Sequence, residues 1–266
     1  MTVWIERMAR RGPGAVTALQ ALALALPLAA MFAERGTAMV PVLVTALATA
    51  LLWEAAFAVV RKHPVTFHGL TTALIVAIML PAETSLWQVS LAMTLGIVIG
   101  ELIFGGRGFG FLSAAAVSLA LLTISFPQAQ LAVPGTSIAI ATLPGAALLL
   151  AFGLVPWRVL VATPVAMVLM MLASGAVPAI VPVLASLVFG LIFLICDPVA
   201  SASTGPGRWA TGLLAGLLIF LFNAGETMTV LPGAIVSAAV LASVFAPLAD
   251  HLAMLANTAI RRRRHG

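Results

Sequence analysis

Along almost the whole chain, stretches that are apolar on every face alternate with short clusters of Gly, Pro and charge; Leu19 to Phe32 and Ala146 to Val155 are two such stretches. Half-buried strands alternate apolar and polar positions, and membrane barrels do so throughout, so these runs read as helices. Bounded by Gly, Pro and charge, they fall at about 15–33, 38–60, 66–80, 86–104, 111–126, 136–155, 158–173, 178–196, 209–222 and 229–252. At 1.5 Å per residue, crossing ~30 Å of hydrocarbon takes roughly 20 residues. The pattern therefore predicts an all-α integral membrane protein of about ten transmembrane helices. It is a single transmembrane domain over 1–266 with no room for a soluble one.

Two parts of the chain resemble each other. Leu74 to Ser118 holds Leu80-Pro81, Trp87 and Gly105-Gly106, and Phe193 to Ser237 holds Asp197-Pro198, Trp209 and Gly225. The expected organisation is a first repeat over about 15–126 and a second over about 136–252. Five spans per repeat would place the halves in opposite orientations. Inverted repeats with short, Gly/Pro-interrupted helices mark sites near the membrane midplane, and the third, fifth and ninth runs are short. The plainer account is that Gly and Pro are frequent in membrane helices generally.

Composition agrees with lipid as the main solvent: 62% of residues are hydrophobic and 8% charged. A net charge of +5 would suggest nucleic acid for a soluble chain, but here the charges sit at run ends. With the N-terminus inside, Arg7, Arg10, Arg11, Arg61, Lys62, Arg107, Arg158, Arg208 and Arg261 to Arg264 are cytoplasmic, leaving Arg35 outside. This split predicts a multi-pass protein with both termini cytoplasmic. The first run lacks a cleavage site in the right place and is expected to be retained.

Cys196 is the only cysteine, which excludes an intrachain disulfide and an all-cysteine metal or cluster site. The four histidines, at 63, 68, 251 and 265, do not form a transmembrane haem pair. No P-loop, zinc-protease motif or nucleophile elbow is present, and neither catalytic nor metal-ligating residues are assigned. Glu54 lies inside the second run, where an acid is expected either to serve an ion pathway or to pair with Arg61 two turns on. Glu101 reads most simply as an interfacial charge facing Arg107. Asp197, before Pro198, could cap a half-helix, offer oxygens to a cation or form an ordinary turn.

Several ordered motifs resemble the family that contains NqrB, of the sodium-pumping NADH:quinone oxidoreductase, and RnfD, of the Rnf electron-transport complex. They are Leu80-Pro81 with Leu86-Trp87-Gln88-Val89, Gly96 to Glu101 running into Phe104-Gly105-Gly106-Arg107-Gly108, Asp197-Pro198-Val199-Ala200-Ser201, and Phe245 to Asp250. The resemblance covers roughly 64–260 and implies ten helices in two inverted five-helix repeats. It also implies electron transport through flavin, one FMN being joined to a threonine in a D-x-x-[ST]-G-A-T motif.

The stretch compared with that motif is Thr136 to Thr142, of which Ala141-Thr142 fit. Thr142 is thus the position the resemblance implies for FMN. The lost acid and Ser-Gly step, with stiff Ile138 and Ile140 in between, predict flavin (FMN, or riboflavin) held without a covalent bond. The family's Asn-Pro after the Gly-Gly loop is replaced by Ser113-Ala114. Gly105, Gly106 and Ser113 are the other candidate cofactor contacts, and Glu54 and Asp197 the candidate ion pathway.

These residues lead to a non-autonomous membrane subunit of an Rnf/Nqr-like complex, relaying electrons through flavin with a coupled cation. Its expected partners are other membrane and redox subunits, lipid and quinone, with no nucleic acid. A channel or permease built from inverted repeats, and a redox-inactive membrane anchor, stay open as alternatives.

Overall fold

The computed structural model describes residues 13–62, 65–175, 179–223 and 229–265. Arg7, Arg10, Arg11, His63 and residues 224–228 lie outside the described residues. All regular structure among the described residues is helical. The first five helices are α1 (Pro13–Arg35), α2 (Val40–Arg61), α3 (His68–Met79), α4 (Leu86–Ile97) and α5 (Ala114–Ser125). The next five are α6 (Thr136–Ala151), α7 (Trp157–Ala173), α8 (Ile180–Gly190), α9 (Gly205–Phe222) and α10 (Pro232–His265). A 3-10 turn, Gly36–Met39, joins α1 to α2, and π turns Val98–Leu102 and Leu191–Ile195 continue α4 and α8.

The helices follow the predicted runs, with one clear departure. The last run is expected to stop near 252, whereas α10 continues to His265, because Ala253 to Ile260 contains neither Gly nor Pro to stop it. Three helical stretches are long and apolar enough to cross a bilayer: Gly14–Arg61, Gly205–Phe222 and Pro232–Thr258. The remaining apolar helices are shorter. α3 and α5 have 12 residues each, about 18 Å at 1.5 Å per residue, a little over half a hydrocarbon core.

Exposed branched side chains such as Val60, Ile124 and Val181 cover the outside, as lipid-facing helices require. Inside, α3 is buried along its whole length except Leu70 and packs against α1, α2 and α5. Lipid gives helices no hydrophobic reason to associate, so close contact relies on small residues. Gly96 meets Ser118 of α5, Gly145 meets the Ala23 backbone of α1, and Gly212 and Gly216 lie against Val159 and Thr163 of α7.

The packing has a regular pattern. α1 contacts α3, α2 contacts α4, α3 contacts α5 and α4 contacts α5; the same four pairings recur when every number is raised by five. Two further contacts, α1 with α6 and α5 with α10, join each helix to the one five places along. The pattern departs from regularity at α2 and α3, which pack closely where α7 instead meets the π turn after α8.

Candidate functional site

The interior charges are placed by the needs of α3. The first N–H groups of a helix lack intrahelical partners. Phe67, the residue before α3, has no side-chain acceptor and adopts a left-handed φ of 55°. The acceptor comes from α2: Glu54, 8% exposed, receives the N–H groups of Thr66 (2.9 Å), His68 (3.3 Å) and Gly69 (2.9 Å), and the Thr66 hydroxyl (2.7 Å). At the other end, Arg35 Nη1 donates to the carbonyls of Ile78 (2.9 Å) and Leu80 (2.8 Å). A carboxylate at the N-terminus and a guanidinium at the C-terminus both complement the helix dipole. Asp250 of α10 does for α9 what Glu54 does for α3, accepting from the N–H and hydroxyl groups of Ser203 and Thr204.

A second cluster joins the two halves. Gly105 and Gly106, at φ 122° and 100°, turn the chain after the π turn in a conformation that side chains rarely adopt. The turn aims Arg107 at the break after α8. There its Nη2 meets Asp197 Oδ1 at 3.1 Å and its Nη1 meets Oδ2 at 3.3 Å, a two-pronged ion pair. Asp197 Oδ1 also accepts from the Val199 N–H at 3.0 Å, so the turn expected of Asp-Pro is present too. Arg107 Nη2 reaches Gln20 of α1 at 3.3 Å, and Nη1 lies 2.6 Å from His68 Nε2.

That last contact fixes the imidazole. A guanidinium only donates, so Nε2 is the acceptor. The ring proton is then on Nδ1, which gives it to Thr71 Oγ1 at 3.0 Å, while the Thr71 hydroxyl donates to the His68 carbonyl at 2.8 Å. Glu101, in the π turn, has its Oε2 3.6 Å from His68 Nε2, beyond hydrogen-bonding distance.

Arg107 separates two cavities. The smaller, about 20 Å³, lies between the halves against Gln20, His68, Ser113, Cys196 and Asp197, with room for about one water. The larger, about 450 Å³, is walled by Phe57, Arg61, Glu101, Phe104, Gly105 and Gly106, a volume in the range of small-molecule sites. Glu54 lies on its wall as well.

The structure thus brings Glu54, Asp197, Gly105 and Gly106 to one end of the bundle. Ser113 is buried and faces the smaller cavity, away from the glycine pair. Thr142 lines neither cavity: it is 0% exposed, seven residues into α6, and its hydroxyl donates to the Ile138 carbonyl at 2.7 Å. Of the two readings kept for Glu54, pairing with Arg61 gives way to bonds with the start of α3, and Glu101 feels the charge of Arg107 while the guanidinium itself bonds Asp197. Sequence reasoning missed His68, Gln20 and the Arg107–Asp197 pair. A signal was available, because a buried acid needs a cation, and Arg107 is the only Lys or Arg between Lys62 and Arg158.

The residues present fit a flavin ring in one place. Phe57, Phe104 and Phe109 put aromatic side chains around the larger cavity, Gly105 and Gly106 permit close backbone approach, and Arg61 is a donor on its wall. They do not fit a phosphoester at Thr142, whose hydroxyl is enclosed and engaged within its own helix.

An all-helical fold with stretches long and apolar enough to cross a bilayer and exposed branched side chains on its outside is that of an α-helical membrane protein. The chain belongs to the NQR2, RnfD, RnfE family, whose sequence model matches residues 14–134 and 131–258. It is similar to NqrB, a subunit of the Na(+)-translocating NADH-quinone reductase, from Chromohalobacter salexigens, 29% identical across 88% of this chain and 70% of the relative. The same subunit from Pseudomonas paraeruginosa is 28% identical across 85% of this chain and 69% of the relative. The protein is accordingly a membrane component of electron transport.

Proposed function

We propose that the chain is the flavin-relaying membrane subunit of an Rnf/Nqr-like complex, receiving electrons from partner subunits and passing them toward quinone with cation movement coupled to the transfer. Family membership carries this reading, and the aromatic, glycine-walled cavity at 57–109 supports it as the flavin position. When bound, flavin supplies the one- and two-electron chemistry. This chain's own residues hold it: the glycine turn allows backbone approach, and Arg61 offers donors to ring carbonyls or phosphate. Asp197 and Glu54 stand at the same end as the proposed ion pathway. The crossing number is proposed as about ten, in two inverted five-helix repeats, and the recurrence of contacts at an interval of five helices supports it. The end bearing Arg61, Arg107 and Arg208 is the cytoplasmic one in a bacterial inner membrane.

The flavin is held without a covalent bond. Enclosure of Thr142 supports this, and so does Glu34, whose carboxylate takes the Ser137 hydroxyl at the start of α6 and would repel a phosphate arriving there. Set two residues earlier, the D-x-x-[ST]-G-A-T pattern keeps Ser137 and Ala139 but puts Ile140, 63% exposed, where the threonine belongs. Either register lacks an accessible hydroxyl.

The test is the absorption spectrum of the purified full chain before and after denaturation. Flavin that is bound and then released supports the reading. A colourless protein overturns electron relay in favour of a channel or an anchor, and flavin retained after denaturation overturns non-covalent attachment.

A further inference from the structure

The polar seam contains more negative groups than cations. Glu54 of α2, Glu101 of the π turn and Asp197 after α8 all face it, with Gln20 of α1 and His68 and Thr71 of α3; Arg107 is the guanidinium at its centre, and Arg61 stands farther out on the larger cavity. Glu54 is satisfied by three N–H groups and a hydroxyl. Asp197 is satisfied by both prongs of Arg107 and the Val199 N–H. Glu101 receives no comparable donor among the described residues. The polar atom it faces is His68 Nε2 at 3.6 Å, whose lone pair already accepts from Arg107 at 2.6 Å, while the charges of Arg107, Asp197 and Glu54 act on it without a hydrogen bond. An ionised carboxylate facing an occupied lone pair, with its side chain only 13% exposed, would be unpaired in a poorly solvated place.

We propose that Glu101 is a proton-exchange site that decides which half of the molecule holds Arg107. In its acid form Glu101 needs no cation, and the guanidinium stays on Asp197, clamping the halves together as seen here. Loss of that proton to water in the larger cavity creates a second carboxylate facing the same His68 Nε2 that Arg107 contacts. Glu101 and Asp197 then compete for one guanidinium, and Arg107 is drawn toward Glu101, loosening its grip on the second half. The exchange moves one proton between carboxyl and water and one guanidinium between two carboxylates, with no change of oxidation state. His68 is the positioning residue: with its proton held on Nδ1 by Thr71, its Nε2 accepts from Arg107 between the two acids.

The experiment uses the full chain in phosphatidylcholine vesicles, with infrared spectra of the protonated-carboxyl stretch taken as the pH is raised. No reductant or flavin is needed, so the result is independent of the electron-relay reading. A band lost on raising the pH should be absent in Glu101→Gln and unchanged in Glu83→Gln, an acid outside the seam, between α3 and α4. Arg107→Gln removes the competing cation and should move the loss of the band to at least tenfold lower proton concentration. Asp197→Asn frees Arg107 for Glu101 and should move it in the opposite direction by a similar factor. If Arg107→Gln does not fold, the Asp197→Asn shift alone carries the test. Absence of a Glu101-dependent band, or shifts in one direction or none, overturns the proposal.

Discussion

At the scale of single residues, the Arg107–Asp197 pair is the most consequential contact, because its loss leaves Asp197 a buried charge alone or sends Arg107 to another acid of the seam. Removing one partner of a buried pair costs about 3–5 kcal/mol, more than removing both. Arg107→Gln and Asp197→Asn should therefore each lower the thermal midpoint of the purified protein markedly, with the double variant less damaged than the sum of the two. Strict additivity in this double-mutant comparison would mean the two side chains do not depend on each other. Glu54 makes a different prediction. It terminates α3 rather than neutralising a cation, so Glu54→Gln, which keeps the shape but sets an amide against N–H donors on one side, should cost about 1–3 kcal/mol. Urea or thermal unfolding in detergent measures it, and an unchanged midpoint would remove the capping role. Glu54 was legible in sequence as an acid in an apolar run, yet its partner was not. Its bonds go to backbone N–H groups 12 to 15 residues away, and backbone groups leave no trace in side-chain identity.

Element positions were largely legible, because apolar runs bounded by Gly, Pro and charge coincide with α1 to α9. What the pattern did not show is that α3 is an almost fully buried internal helix while its equally apolar neighbours face lipid. In a bilayer both environments select the same residue types. The end of α10 escaped for a related reason: no Gly or Pro follows Asp250 before the final arginines. Gly69 tests the packing of α3. A Cβ there would lie 3.2 Å from the Ala50 carbonyl carbon and 3.0 Å from Glu54 Oε2, so Gly69→Ala must push α3 away from α2 and should cost about 1–3 kcal/mol. On α6, Thr142→Ala should leave the flavin content of the purified protein unchanged, as read from absorbance per chain. Loss of flavin in that variant would restore a direct contact at Thr142.

For the whole molecule, the charge split gives a direct prediction. Single cysteines placed at 61, 109 and 208 should react with a membrane-impermeant thiol reagent from the cytoplasmic side, and cysteines at 128–134 from the other; exposed 109 stands in for nearby Arg107, whose side chain is enclosed in the ion pair. Cys196, 0% exposed, should stay silent and can be left in place. Labelling of 109 and 130 from the same side would overturn the proposed arrangement. The candidate site was only half legible at this scale, since the glycine turn and Asp197 stand out individually but their meeting depends on how the halves dock. The burial of α3 also bears on the order of biosynthesis. Twelve residues are too few for a membrane-insertion machine to recognise as an independent span, and both ends of α3 depend on charges, Arg35 and Glu54, that the ribosome makes before it. α3 should therefore enter the bilayer late, drawn in by α1 and α2 rather than inserted by its own hydrophobicity, and chains lacking α1 should leave it stranded outside.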